Sequence, residues 1–84
     1  NKNSSIAAEL SSEASGRKLI ISTDQPGIQF YSGNHLSGFF NKNQGLCLET
    51  QHFPDSPNNH NFPTTELKAN SQYYSATSYF LSIF

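Results

Sequence analysis

Two polar side chains stand inside β-forming runs of a chain that is otherwise poor in charge. Gln29 lies in residues 28–32 and Glu49 in residues 46–51, while charged residues make up only 13% of the 84. If the two strands are neighbours and both side chains face one cleft, the amide can hold a hydroxyl group and the carboxylate can remove its proton. The alternative is that Glu49 lies on a solvent face and Gln29 bonds to backbone. Spacing alone favours the alternative.

The histidines do not have the spacing of a metal site. His35, His52 and His60 never stand at HxH or HxxxH spacing, and only His52 has a carboxylate close by, at Asp55. No serine lies on a glycine-flanked elbow, which argues against a nucleophilic triad. The sequence therefore predicts no metal site.

Three further side chains have structural interpretations. Cys47, the only cysteine, lies in an apolar run, so we expect a small buried hydrophobe. Asp55 stands between Pro54 and Ser56 and is expected to bond its own backbone in a turn. Arg17 is expected to be a structural cation at a turn.

The composition indicates one small folded domain. Aromatic residues reach 13% and the net charge is -1, whereas disordered chains have few aromatics and high charge. This balance predicts no nucleic-acid partner and no membrane partner. The 84 residues begin without Met and without a secretory signal pattern. We therefore expect a cytoplasmic location and a segment from the end of a larger chain.

The periodicity predicts an all-β, antiparallel fold without a convincing helix. Strands are expected over 17–23, 28–32 and 46–51, a strand or helical turn over 6–10, and one or two strands at Tyr73-Tyr74 and 78–84. Turns are expected over 11–16 and 24–27, with positive φ at Gly16 and Gly27. Residues 1–5 are expected to be a frayed or cut end, residues 37–45 an exposed loop, and residues 52–65, with three prolines and three asparagines, a long irregular one.

In their order and spacing, these segments resemble the C-terminal part of the aldose 1-epimerases (galactose mutarotases). The matching blocks are residues 15–19 (SGRKL), 22–34 (STDQPGIQFYSGN), 45–51 (GLCLETQ) and 54–58 (PDSPN), followed by Phe62-Pro63, Leu67 and Tyr73. The resemblance implies that residues 1–84 are the C-terminal segment of a single mutarotase-like β-sandwich domain with the sugar in a cleft.

The resemblance also implies site residues. Glu49 matches the family's general base, and Gln29 matches a residue that hydrogen-bonds the sugar. The family's general acid is an upstream histidine, so His35, His52 and His60 do not take that role. The implied reaction interconverts the α and β anomers of a hexose such as galactose or glucose, with no cofactor. The 84 residues alone should be inactive, because they need the remainder of the same chain. From residue type alone, independently of the resemblance, the aromatic side chains are expected to be mostly core, although Tyr31 or Phe53 could line a sugar site.

Two departures from the family pattern lie outside the two site residues. The segment between Asn34 and Gly45 is short, and the common Leu-x-Pro-Gly-Glu-x-Tyr pattern reads LKANSQY at 67–73. Asn70 is expected to take the left-handed conformation in place of glycine.

Two rival functions stay open. One is a hexose-6-phosphate mutarotase or a non-catalytic sugar-binding relative. The phosphate version is disfavoured because Arg17 is the only arginine. The other rival is a β-sandwich interaction module whose loop 52–65 contacts a protein.

Overall fold

The chain folds into two antiparallel sheets. The computed structural model describes residues 4–84. Its elements, in chain order, are β1 (Ser5–Ser12), β2 (Arg17–Thr23), β3 (Gly27–Tyr31), β4 (Cys47–Gln51), a three-residue 3-10 helix (Ser56–Asn58) and β5 (Thr77–Ile83). The all-β, antiparallel prediction is confirmed, apart from that short helical turn inside the loop predicted to be irregular.

The first sheet has three strands in the order β1-β2-β5. Central β2 carries the β-branched pair Ile20-Ile21, and Ile21 is only 1% exposed. Residues 6–10 are strand rather than helical turn, with a register shift between Ile6 and Ala8. Tyr73-Tyr74 do not form a strand, since a single strand, β5, closes the chain.

The start of β1 overlaps the stretch that the sequence predicts to be frayed. Ser5 pairs with Thr23, so it belongs to the sheet. Ser4 is exposed and has no regular structure, as predicted, and residues 1–3 lie outside the described residues.

The second sheet contains only β3 and β4. The turn before β3 departs from prediction at one residue. Gly16 has φ 72° as expected, but Gly27 is not among the residues with positive φ. It is the first residue of β3 and pairs with Gln51. The absence of a side chain at Gly27 instead leaves room for the Phe53 ring.

Three threonine hydroxyls connect the two sheets. Thr77 Oγ1 on β5 lies 2.9 Å from Thr23 Oγ1 on β2 and 3.0 Å from Thr50 Oγ1 on β4. Thr23 is 2% exposed, and its hydroxyl also accepts the Gln25 backbone N–H at 3.1 Å. Buried hydroxyls are costly to leave unpaired, so these hydrogen bonds, here called the threonine chain, fix β4 against the three-stranded sheet.

Much apolar surface stays uncovered. On β5, Leu81 is 77% and Ile83 82% exposed, and both line an apolar groove of about 830 Å³. Ile21 is the one fully buried large side chain among residues 4–84. The described residues also contain no helix with the length and apolarity needed to cross a membrane.

Replacing Thr77 by Val should destabilise the intact protein more than replacing Thr50. Thr77→Val removes both inter-threonine hydrogen bonds, whereas Thr50→Val leaves the Thr23–Thr77 bond intact. Each lost bond should lower the free energy of unfolding by about 1 kcal/mol. Denaturant unfolding measures the free energy of unfolding of each variant. Thr65→Val, at an exposed residue, is the control. Equal losses in both variants would contradict the connecting role of Thr77.

Candidate active site on the β3–β4 pair

Gln29 and Glu49 lie directly opposite each other. They are cross-strand partners in the antiparallel β3–β4 ladder, so their side chains point to the same face. The register places six residues on this surface, here called the site face: Gly27, Gln29, Tyr31, Cys47, Glu49 and Gln51. The strands are neighbours and both polar groups share one face, as the sequence required. The cleft that they were expected to face stays a prediction, since this face is open surface in the 84 residues.

The site face points away from the three-stranded sheet. Strand alternation puts Thr50 on the opposite face of β4 from Glu49, and Thr50 bonds Thr77 of β5. Gln29 and Glu49 are consequently exposed in this chain. The Gln29 amide lies 3.4 Å from the neighbouring Phe30 carbonyl, a long and weak contact. Solvent exposure and backbone contact, the features of the alternative interpretation, are therefore both present, and both groups are open to a ligand.

One end of the site face is covered by an aromatic ring. A Cβ atom added to Gly27 would lie 2.8 Å from Phe53 Cδ1 and 2.9 Å from Cε1, so the ring packs where a side chain would otherwise stand. Phe53 also meets Phe62 edge-on, with ring centroids 5.1 Å apart at 64°. The Gly27 backbone and Phe62 together fix the ring.

The loop that carries Phe53 is held by Asp55, although not as predicted. Asp55 has φ 62°, and its carboxylate accepts the side-chain amides of Asn58 at 2.5 Å and Asn59 at 3.3 Å. The carboxylate accepts no hydrogen bond from a backbone N–H of the 3-10 helix. The expected backbone turn contact is therefore replaced by amide contacts, which the two consecutive asparagines make possible.

The other end of the site face borders a small cavity. Tyr31 and Cys47, which are cross-strand partners, line a space of about 150 Å³ together with Leu36, Phe40, Gly45 and Leu46. The Tyr31 hydroxyl accepts the His35 backbone N–H at 3.0 Å. Cys47 is exposed, so the prediction of a buried thiol is wrong. The alternation of β4 puts it on the outward face with Glu49.

The remaining candidates lie off the two strands. The His52 ring lies tilted by 41° against that of Tyr73, with 6.1 Å between ring centroids, while His35 and His60 are exposed. Arg17 begins β2, in the other sheet. Among the described residues there is no group of three or more His, Cys, Asp or Glu side chains that could hold a metal. Asn70 has φ 65°, which confirms its predicted glycine-like conformation.

The fold and the site define an all-β protein that presents a carboxylate and an amide from adjacent strands. Comparison with known proteins narrows this class. The sequence model described as Aldose 1-epimerase matches residues 1–80. The chain belongs to the aldose 1-epimerase family.

Curated relatives agree with this assignment. The chain is 40% identical to galactose mutarotase of Mus musculus and 37% identical to that of Homo sapiens, each over 99% of its length. It is 36% identical to the aldose 1-epimerase of Escherichia coli (strain K12) over 88% of its length. It spans 27%, 27% and 24% of those relatives, respectively.

Gly33 should be far less replaceable than Gly38 in the loop beside the site. Their φ angles, 78° and 74°, are similar, so alanine should cost about 1 kcal/mol of strain at either. A Cβ at Gly33 would also lie 2.1 Å from the Gly45 carbonyl oxygen, whereas one at Gly38 would meet nothing within 4 Å. This clash should add about 1–3 kcal/mol.

Denaturant unfolding of the intact protein carrying Gly33→Ala or Gly38→Ala measures the difference in the free energy of unfolding. Since φ is matched, the difference reports the steric clash alone. Equal stabilities would contradict the close approach of the two loop segments.

Proposed function

We propose that this chain supplies the base side of an aldose 1-epimerase active site, which interconverts the α and β anomers of hexoses such as galactose and glucose. The observation that carries the proposal is the register that places Glu49 opposite Gln29 on an exposed face. Family membership supports it, as do the names of the relatives, galactose mutarotase and aldose 1-epimerase.

The mechanism begins with proton removal by Glu49. The carboxylate takes the proton of the anomeric hydroxyl, the new carbonyl forms as the bond to the ring oxygen breaks, and an acid protonates that oxygen. Rotation of the open-chain aldehyde exposes its other face. Closure reverses the transfers. The hydroxyl that carries the former ring oxygen attacks the carbonyl and returns its proton to the acid, and Glu49 returns its proton to the anomeric oxygen. The cycle leaves no net proton consumed.

Gln29 positions the sugar in this scheme. A side-chain amide offers both donors and an acceptor without competing for the proton, so it can hold sugar hydroxyls beside the carboxylate. Strand-borne groups also keep their spacing better than loop groups. The direct cross-strand pairing keeps the two side chains within about 6 Å at their Cβ atoms, a spacing that suits one monosaccharide ring.

We propose, as the family resemblance implies, that the acid comes from outside these residues. None of the three histidines lies on β3 or β4, and neither strand contains a lysine or arginine. We therefore propose that the remainder of a longer chain supplies a histidine acid and covers the apolar groove lined by Leu81 and Ile83. The proposed location is the cytoplasm.

Changing Glu49 to Gln in the intact protein should abolish most turnover and spare binding. The amide keeps the shape of the carboxylate but cannot accept the proton, so the anomerisation rate should fall by about 10²–10⁴-fold. Polarimetry of freshly dissolved α-galactose measures the rate, and calorimetry measures sugar affinity. Glu66→Gln, at an exposed loop residue, is the matched control. Wild-type rates in Glu49→Gln would remove Glu49 from the mechanism.

The isolated 84-residue chain should not accelerate anomerisation. It offers the proposed base without the acid, so its polarimetric trace should match that of buffer containing equal amounts of Glu49→Gln chain. The intact protein is the positive control. A rate for the isolated chain that depends on Glu49 would show that the 84 residues also contain the acid.

A further inference from the structure

We propose that Phe53 forms one wall of the sugar site and packs against the apolar C–H face of the bound pyranose. The inference deepens the proposed function and rests on it. It assigns to the loop after β4 a direct part in substrate binding, beside the Gln29–Glu49 pair.

The position of the ring follows from the register. The Phe53 ring occupies the space where a Gly27 side chain would stand, and Gly27 and Gln29 project to the same face because they are two residues apart on one strand. Two residues of strand span about 6.6 Å, which is close to the width of a pyranose ring. A sugar held by Gln29 and Glu49 therefore lies next to Phe53.

The ring is held firmly enough to act as a wall. Phe62 meets it edge-on, and the Phe53 carbonyl accepts both the backbone N–H of Ser56, at 3.2 Å, and the Ser56 hydroxyl. Ser56 is 5% exposed. Phe53 itself is half-buried, so part of its surface remains available. A preorganised aromatic surface loses little conformational entropy when the ligand binds.

The chemistry of the site face calls for such a wall. A pyranose presents hydroxyls at its rim and C–H groups on its faces. Ligand sites pair a few polar groups with apolar and aromatic surface. Gln29 and Glu49 supply the polar groups, and Phe53 supplies the adjacent apolar surface. The resulting site recognises a hexopyranose by rim and face together.

The first test compares three variants of the intact protein. Phe53→Leu should raise KM for galactose about 2- to 10-fold with kcat nearly unchanged, because aromatic contacts are worth about 0.5–1.5 kcal/mol. Phe53→Tyr, which keeps the ring, should restore the wild-type KM. Phe39→Leu is the matched control, since Phe39 is 100% exposed in a different loop. If Phe53 were purely structural, Phe53→Leu would lower the melting temperature without raising KM at constant kcat.

The second test uses Gly27. Gly27→Ala should displace the ring, because its Cβ would lie within 3 Å of Phe53, and should raise KM as Phe53→Leu does. In the double variant the two effects should not add, because both act through one contact. Full additivity would contradict a shared action through the Phe53 ring.

Sugar binding measured by calorimetry in the Glu49→Gln background separates this inference from the proposed function. A weaker affinity for galactose in Glu49→Gln/Phe53→Leu than in Glu49→Gln supports the wall, whatever the outcome for catalysis. Equal affinities in these two proteins, both folded by circular dichroism, overturn it even if Glu49 proves to be the base. A wild-type protein that binds neither galactose nor glucose overturns both proposals.

Discussion

The register of the β3–β4 ladder is the constraint on which the rest of the site depends. A slip of one residue in either strand would send its whole set of side chains to the other face, so Gln29 and Glu49 would no longer share a surface. The threonine chain resists such a slip. Thr50 must face the three-stranded sheet to reach Thr77, and this orientation obliges Glu49 to face outward. One part-buried hydrogen bond therefore sets the direction of the proposed catalytic carboxylate.

The same register explains why the two faces of β4 have different surroundings. Leu48 and Thr50 lie on the inner side, while Cys47 and Glu49 lie on the outer side. The inner residues contribute to packing and the outer ones remain free to meet a ligand. The exposure of Cys47 follows from this geometry. Its apolar neighbours in sequence are not its neighbours in space, because adjacent residues of a strand occupy opposite faces.

Local patterns in the sequence were sufficient for most strands and for one backbone conformation. Residues 17–23 match β2 in full, and the left-handed conformation of Gly16 was expected from its turn. The left-handed conformation of Asn70 was expected only because the family pattern has glycine at that place. The pairing of β3 with β4 was only a condition in the sequence, since many registers satisfy the same alternation. Long-range contacts decided it. The family resemblance supplied roles for Gln29 and Glu49 that spacing alone disfavoured.

Gly27 shows why some site features escape sequence patterns. Its position after Pro26 indicates a turn glycine with positive φ, yet its structural role is to leave room for Phe53. The two roles demand the same residue for different reasons, and only the position of a ring 26 residues away distinguishes them. The Phe53 ring packs on Gly27 of β3, where there is no side chain. The loop after β4 and the start of β3 therefore form one unit. The aromatic wall and the polar pair thus depend on the same two strands, so the ladder that aligns the carboxylate with the amide also determines the distance between both groups and the ring.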